Sequence, residues 1–180
     1  MYCKKGVKMF VNNDYVVYGK TGVCQVTNII DGKSMGLPED KYYELHPVFD
    51  SKEKIMAPVG NPKVLIRKIH KKEQILSSID EAMEQDTVWI DDNKLRKQKF
   101  QELLGSGSFK DCIALVKTLY LKNEEKKKNG RKLHMNDEII MRKSMKILFE
   151  EFSVSLGVPI RDVQNFIINK ITQNTAVKHA

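Results

Sequence analysis

Cysteine is scarce in this chain of 180 residues, and its three copies, Cys3, Cys24 and Cys112, stand far apart without CxxC spacing. An odd, dispersed set excludes a disulfide framework and a cysteine-rich zinc site, and suits a reducing compartment. The four histidines, His46, His70, His134 and His179, are equally scattered and form no HExxH pattern, so metal-assisted hydrolysis has no visible apparatus. Long apolar runs are missing too. No stretch approaches the ~18 uncharged apolar residues of a membrane span, and MYCKKGVKMF lacks the apolar core of a signal peptide, so a cytoplasmic protein without membrane contact is expected. Ten glycines and five prolines against 41% hydrophobic residues exclude a disordered tail and leave enough apolar material for one domain or two small ones.

Catalytic signatures are lacking as well. Gly19-Lys20-Thr21 imitates the end of a phosphate loop, but the first glycine of GxxxxGK[ST] would fall at Asp14. Gly105-Ser106-Gly107 lacks the GxSxG spacing of a nucleophile elbow. The pairs Asp91-Asp92 and Glu150-Glu151 read as polar helix positions, where neighbouring residues do not face one another as an acid and a base must. No enzyme and no cofactor are expected.

What the chain does have is two contrasting halves. Up to about residue 70, five short runs with strand character, Tyr15 to Tyr18, Val23 to Ile30, Tyr42 to Phe49, Lys54 to Ala57 and Val64 to Lys68, are punctuated by Gly, Pro, Asn and Asp, as in a small antiparallel barrel. Tyr43 and Leu45 alternate with Glu44 and His46, which predicts one buried face. From Lys71 the period lengthens to about 3.6, with Ile75, Ile79 and Met83 on one face and Cys112, Val116 and Leu119 on another, beside Ile113 and Tyr120. Helices are predicted near 71–84, 92–104, 108–127, 137–155 and 159–173. Ser108 is the expected cap of the third, Asn136 with Asp137 and Glu138 the start of the fourth, and Gly157 with Pro159 the break before the last. The segment from Gln85 to Trp89 is a connecting loop. The fold class is therefore α+β, with a β domain over 9–70, an all-α domain over 71–173, an unassigned leader 1–8 and a tail 174–180.

Lysine and arginine number 31 against 23 acidic residues, a net charge of +8. The excess is shared evenly, with 11 basic and 7 acidic side chains up to residue 70 and 20 and 16 beyond it. Clusters carry more meaning than totals: Lys94, Arg96, Lys97 and Lys99 follow the single tryptophan, Trp89; Lys122 to Lys132 is rich in cations; Arg142, Lys143 and Lys146 lie on the fourth helix. A solvated helix surface accounts for the 122–132 run as well as a phosphate contact does. Three clusters in one helical unit favour a polyanion partner.

The stretch MFVNNDYVVYGKTGVCQV, Met9 to Val26, resembles the opening of CarD-family bacterial transcription regulators, F-x-x-G-D-x-V-V-Y-P-x-H-G-V-G-x-I. Phe10, Asp14, Val16, Val17, Tyr18, Gly22 and Val23 match. Asn13 and Cys24 replace two glycines, Gly19 a proline and Thr21 a histidine, all expected in turns. Tyr42-Tyr43-x-Leu45, the run Lys54 to Val59, and Trp89 followed by a basic helix and LLGSGSFKD extend the likeness to about residue 156.

The resemblance implies a Tudor-like or SH3-like β-barrel that binds the RNA polymerase β subunit, joined to a helical DNA-binding domain of a monomeric, nucleoid-associated protein. It further implies that Trp89 wedges into the minor groove of promoter DNA at the upstream edge of the bubble and stabilises the open complex. Lys94, Arg96, Lys97, Lys99, Arg142 and Lys143 would hold phosphates, and Lys33 and Met56, placed by family contact positions, would meet polymerase across an exposed strand edge. Lys33 keeps the basic character usual there; Met56 does not. A stand-alone nucleic-acid-binding module and a pure protein adaptor remain open alternatives.

Overall fold

A computed structural model describes residues 9–19, 21–50, 53–61, 64–106 and 108–178, with side chains to 173. The leader 1–8, with Cys3, lies outside the described residues, as do Lys20, Gly107 and His179. Two units emerge, one ending at Ile69 and the other beginning at His70.

The first unit is one antiparallel sheet of β1 (Tyr15–Tyr18), β2 (Gly22–Asp31), β3 (Lys41–Pro47), β4 (Ile55–Pro58) and β5 (Ile66–Lys68), in the order β4-β3-β2-β1-β5. Alternation selects its core. Val16, Cys24, Val26, Tyr43, Leu45 and Ala57 bury one face together, while Glu44 and His46 point away from it, as a period of two requires. The expected barrel is not closed: β4 and β5, of four and three residues, are the two ends of the order and pair with β3 and β1, not with each other. Phe10 instead packs on this core, its N–H donating to Tyr43 Oη at 3.1 Å and its ring 5.5 Å from the tyrosine ring.

Asn13, at a family glycine position, takes φ +71° and is the one non-glycine with positive φ among the described residues. Asparagine tolerates this left-handed region better than other side-chain-bearing residues, so the exchange preserves the turn. Gly19 takes φ +48°, a value closed to the proline that the family carries there. Cys24 departs from expectation. It lies inside β2 opposite Val16, fully buried, where a small apolar side chain fills the core.

The second unit contains α1 (Lys72–Glu84), α2 (Asn93–Gly105), α3 (Phe109–Lys128), α4 (Met135–Leu156) and α5 (Ile160–Lys178). Ile75, Ile79 and Met83 of α1 join Ile113 and Val116 of α3, Leu148 and Phe152 of α4, and Val163, Ile167 and Ile171 of α5 in one core. Each such aliphatic side chain contributes ~1.5–3 kcal/mol when fully buried. Ser108 caps α3 by accepting from the Asp111 N–H at 3.3 Å. The fourth helix starts earlier than expected because His134, not Asn136, is its cap, with Nδ1 facing the Asn136 N–H at 3.4 Å. Gly157, at φ +67°, ends α4 with its N–H on the Ser153 carbonyl. The segment from 174, expected as a tail, continues α5 to Lys178.

Candidate nucleic-acid interface

The connector from Gln85 to Asp92 runs between α1 and α2, and α3 holds its first half. Lys117, buried in α3, donates to the carbonyls of Ala82, Met83 and Gln85 at 3.1, 2.7 and 2.5 Å. These are the orphan acceptors at the end of α1, which a buried cation satisfies and complements electrostatically. One residue on, Thr118 Oγ1 accepts from the Val88 N–H at 3.0 Å.

Arg96 holds the second half. Its guanidinium donates to the carbonyls of Ile90 and Asp91 at 2.7 and 3.0 Å, to Asn93 Oδ1 at 2.6 Å, and to both carboxylate oxygens of Asp137 at 3.2 and 2.9 Å. A guanidinium has five N–H donors, and all five are used inside the protein. Arg96 and Asp137 are only 3% and 2% exposed. The expectation that Arg96 faces phosphate is therefore corrected: its charge is matched internally and its donors are committed.

Between these anchors stands Trp89, half-buried. The Arg96 guanidinium lies 4.2 Å from its ring centroid, Lys122 Nζ 5.2 Å, and the buried Phe100 ring meets it edge-on at 6.3 Å. The indole Nε1–H donates to Asp91 Oδ1 at 2.9 Å. Asp91 and Asp92 thus precede the helix rather than lying on it: Asp92 caps α2, accepting from the N–H groups of Lys94 and Leu95 at 2.9 and 2.8 Å.

Trp89 lines a groove of about 280 Å³ with Arg96, Lys122, Lys126 and Arg131 among its walls. Lys122 pairs with Glu125 through contacts of 3.0 and 2.8 Å. The expected Lys94, Lys97 and Lys99 are exposed on α2 but do not line this groove. At about 100° per residue, Lys94 and Lys97 flank one side of the buried stripe Arg96, Phe100 and Leu104, and Lys99 the other. Arg142 and Lys143 are exposed on α4. The cations nearest the indole, besides Arg96, come from the end of α3; the only sequence signal for them was the 122–132 run, which a solvated surface explained equally well.

In the sheet unit, Lys33 sits in a 3-10 turn (Lys33–Met35) between β2 and β3, exposed and paired with Asp40 at 3.1 Å. It belongs to a turn, not to a strand edge. Met56 lies on β4, an end strand of the sheet, half-buried and opposite Glu44. Glu44 also meets Lys54 Nζ at 2.9 Å, and this hydrogen bond is the leading cause that holds its carboxyl below the ordinary value.

No helix among the described residues is long and apolar enough to cross a membrane. Residues 10–70 match the family model of the CarD-like/TRCF RID domain. No curated protein matches the chain.

Proposed function

We infer, from an N-terminal unit that is a CarD-like/TRCF RID domain, that this protein is a transcription regulator that docks on the RNA polymerase β subunit and stabilises the promoter open complex through its helical unit. The observation that carries the second half of this reading is Trp89, whose loop is bonded at Gln85, Val88, Ile90 and Asp91. A wedge must be held before it meets DNA, because freezing a mobile side chain and loop on binding consumes the energy that unstacking requires. Unstacking one base step costs about a few kcal/mol, which phosphate contacts must offset.

Lys94, Lys97, Lys99, Arg142 and Lys143 act as phosphate contacts, with Arg96 as the support of the wedge. Lysine-rich surfaces of this kind position a protein on DNA without reading its sequence. Polymerase supplies the targeting, through Lys33 and the β4 edge with Met56. If Trp89 favours open over closed DNA by ~1.4 kcal/mol, the opening equilibrium shifts about tenfold.

The test is Trp89→Ala in the full-length protein, with thermal unfolding and open-complex lifetime measured on one preparation. An incompletely buried indole that still touches Phe100 should cost less than the ~3–5 kcal/mol of a fully buried one, so a small drop in Tm accompanies a lifetime shortened about tenfold. An unchanged lifetime would refute the wedge.

A further inference from the structure

We propose that the groove beside Trp89 receives one unpaired nucleotide of the opened strand, its base against the indole and its phosphate on Lys126 and Arg131. This rests on the wedge reading and adds to it a place for the base that the wedge displaces. Size is the first argument. At about 280 Å³ the groove lies near the lower end of small-molecule sites, ~300 Å³, which suits a single base with its phosphate and not a duplex.

The lining is the second argument. An aromatic ring, two amides and several cations converge: Trp89, Asn93, Asn129, Lys122, Lys126 and Arg131. Stacking on an aromatic ring with cations along the backbone is how proteins hold single-stranded nucleic acid of any sequence. The amides retain one useful group each. Asn93 Oδ1 is taken by Arg96 and Asn129 Nδ2 by the Glu125 carbonyl, so an Asn93 donor and an Asn129 acceptor remain for a base edge.

The distribution of charge separates the roles. Arg96 is consumed by Asp137, and Lys122 by Glu125; Lys126 and Arg131 have no ion pair among the described residues. Asp91 and Glu125 also line the groove. Asp91 lies against the indole N–H and Glu125 against Lys122, so the two unmatched cations are where a phosphate gains most. Lys122, 5.2 Å from the ring centroid, is the group an arriving base would displace from the indole.

The chain has a single tryptophan among six tyrosines, so fluorescence excited where only the indole absorbs reports on this groove. The full-length protein is titrated with a forked DNA duplex, with the same fork carrying an abasic residue at the first unpaired position, and with the blunt duplex. Quenching of the indole is expected with the intact fork, together with about fivefold weaker binding to the abasic fork, which keeps every phosphate. Lys126→Glu with Arg131→Glu should weaken fork binding about tenfold and blunt-duplex binding much less. Equal affinity for intact and abasic forks, with fork preference still lost in Trp89→Ala, would overturn the nucleotide site and leave the wedge standing. Fork preference undiminished by Trp89→Ala would overturn both.

Discussion

At the scale of single residues, backbone conformation and packing account for Asn13, Gly19 and Cys24, three departures from the resembled pattern. Asn13 stands where a glycine is usual and takes φ +71°, so the position demands a left-handed residue rather than glycine as such. Asn13→Gly should therefore leave stability nearly unchanged, whereas Asn13→Val, β-branched and forced into that region, should cost ~1–2 kcal/mol in urea unfolding. Arg96 shows what sequence could not disclose. In the run Lys94, Arg96, Lys97, Lys99 it reads as one cation among four, yet it alone enters the buried stripe with Phe100 and Leu104. Asp137, 41 positions away, read as a helix-start acid, and no local pattern joins two residues so distant. Arg96→Ala leaves Asp137 buried and unpaired and should cost ~3–5 kcal/mol, while Lys97→Ala on the exposed flank should stay within about 0.5 kcal/mol. Equal losses in thermal unfolding would contradict these assignments.

At the scale of elements, strands and helices were legible because their periods differ and their ends carry marked residues. Ser108 and Gly157 cap as their types predict, while His134 is a cap that few sequences would suggest. Barrel closure was not legible, since it depends on whether β4 and β5 reach one another and not on their pattern. The sheet is instead tied across its strands by side chains, among them Asp14 before β1, whose Oδ1 lies 2.6 Å from Lys68 Nζ on β5. That hydrogen bond, helped by the Val11 N–H and the lysine's charge and opposed by burial, holds the Asp14 carboxyl below its ordinary value of 3.8. A carboxylate whose folded-state pKa is lowered stabilises the fold above the unfolded-state value, and loses that contribution as pH falls through the folded one. Acid should accordingly weaken the sheet unit below about pH 4, and Asp14→Asn should flatten that part of the stability curve. Urea midpoints measured from pH 6 down to pH 2 check the slope; an identical slope in the variant would remove Asp14 from the account.

For the whole molecule, the proposed division of labour between two covalently joined units would govern how mutations combine. The net charge of +8 is modest, and non-specific DNA affinity of such a protein at physiological salt falls near ~10⁻⁴ to 10⁻⁶ M. On the proposed reading, with the sheet unit docked on polymerase, the helical unit would meet promoter DNA at an effective concentration around the millimolar range. A site with Kd of ~10⁻⁴ M would then be about nine-tenths occupied, whereas the same protein at micromolar concentration and undocked would occupy about one per cent. On the proposed reading docking is therefore a precondition of wedging, and the two would not contribute independently. Lys33→Glu, which opposes the proposed polymerase contact, and Trp89→Ala, which removes the wedge, should each shorten open-complex lifetime. Combined, they should shorten it little more than the stronger single variant, because an undocked helical unit has no wedge to lose. Independent sites would instead give multiplied effects, the additive outcome expected of residues that share no partner. A double-mutant cycle on open-complex lifetime, run at one protein concentration near the wild-type half-saturation point, distinguishes the two. A multiplied effect would mean that the helical unit reaches promoter DNA without polymerase, and would favour a stand-alone DNA-binding module over a docked regulator.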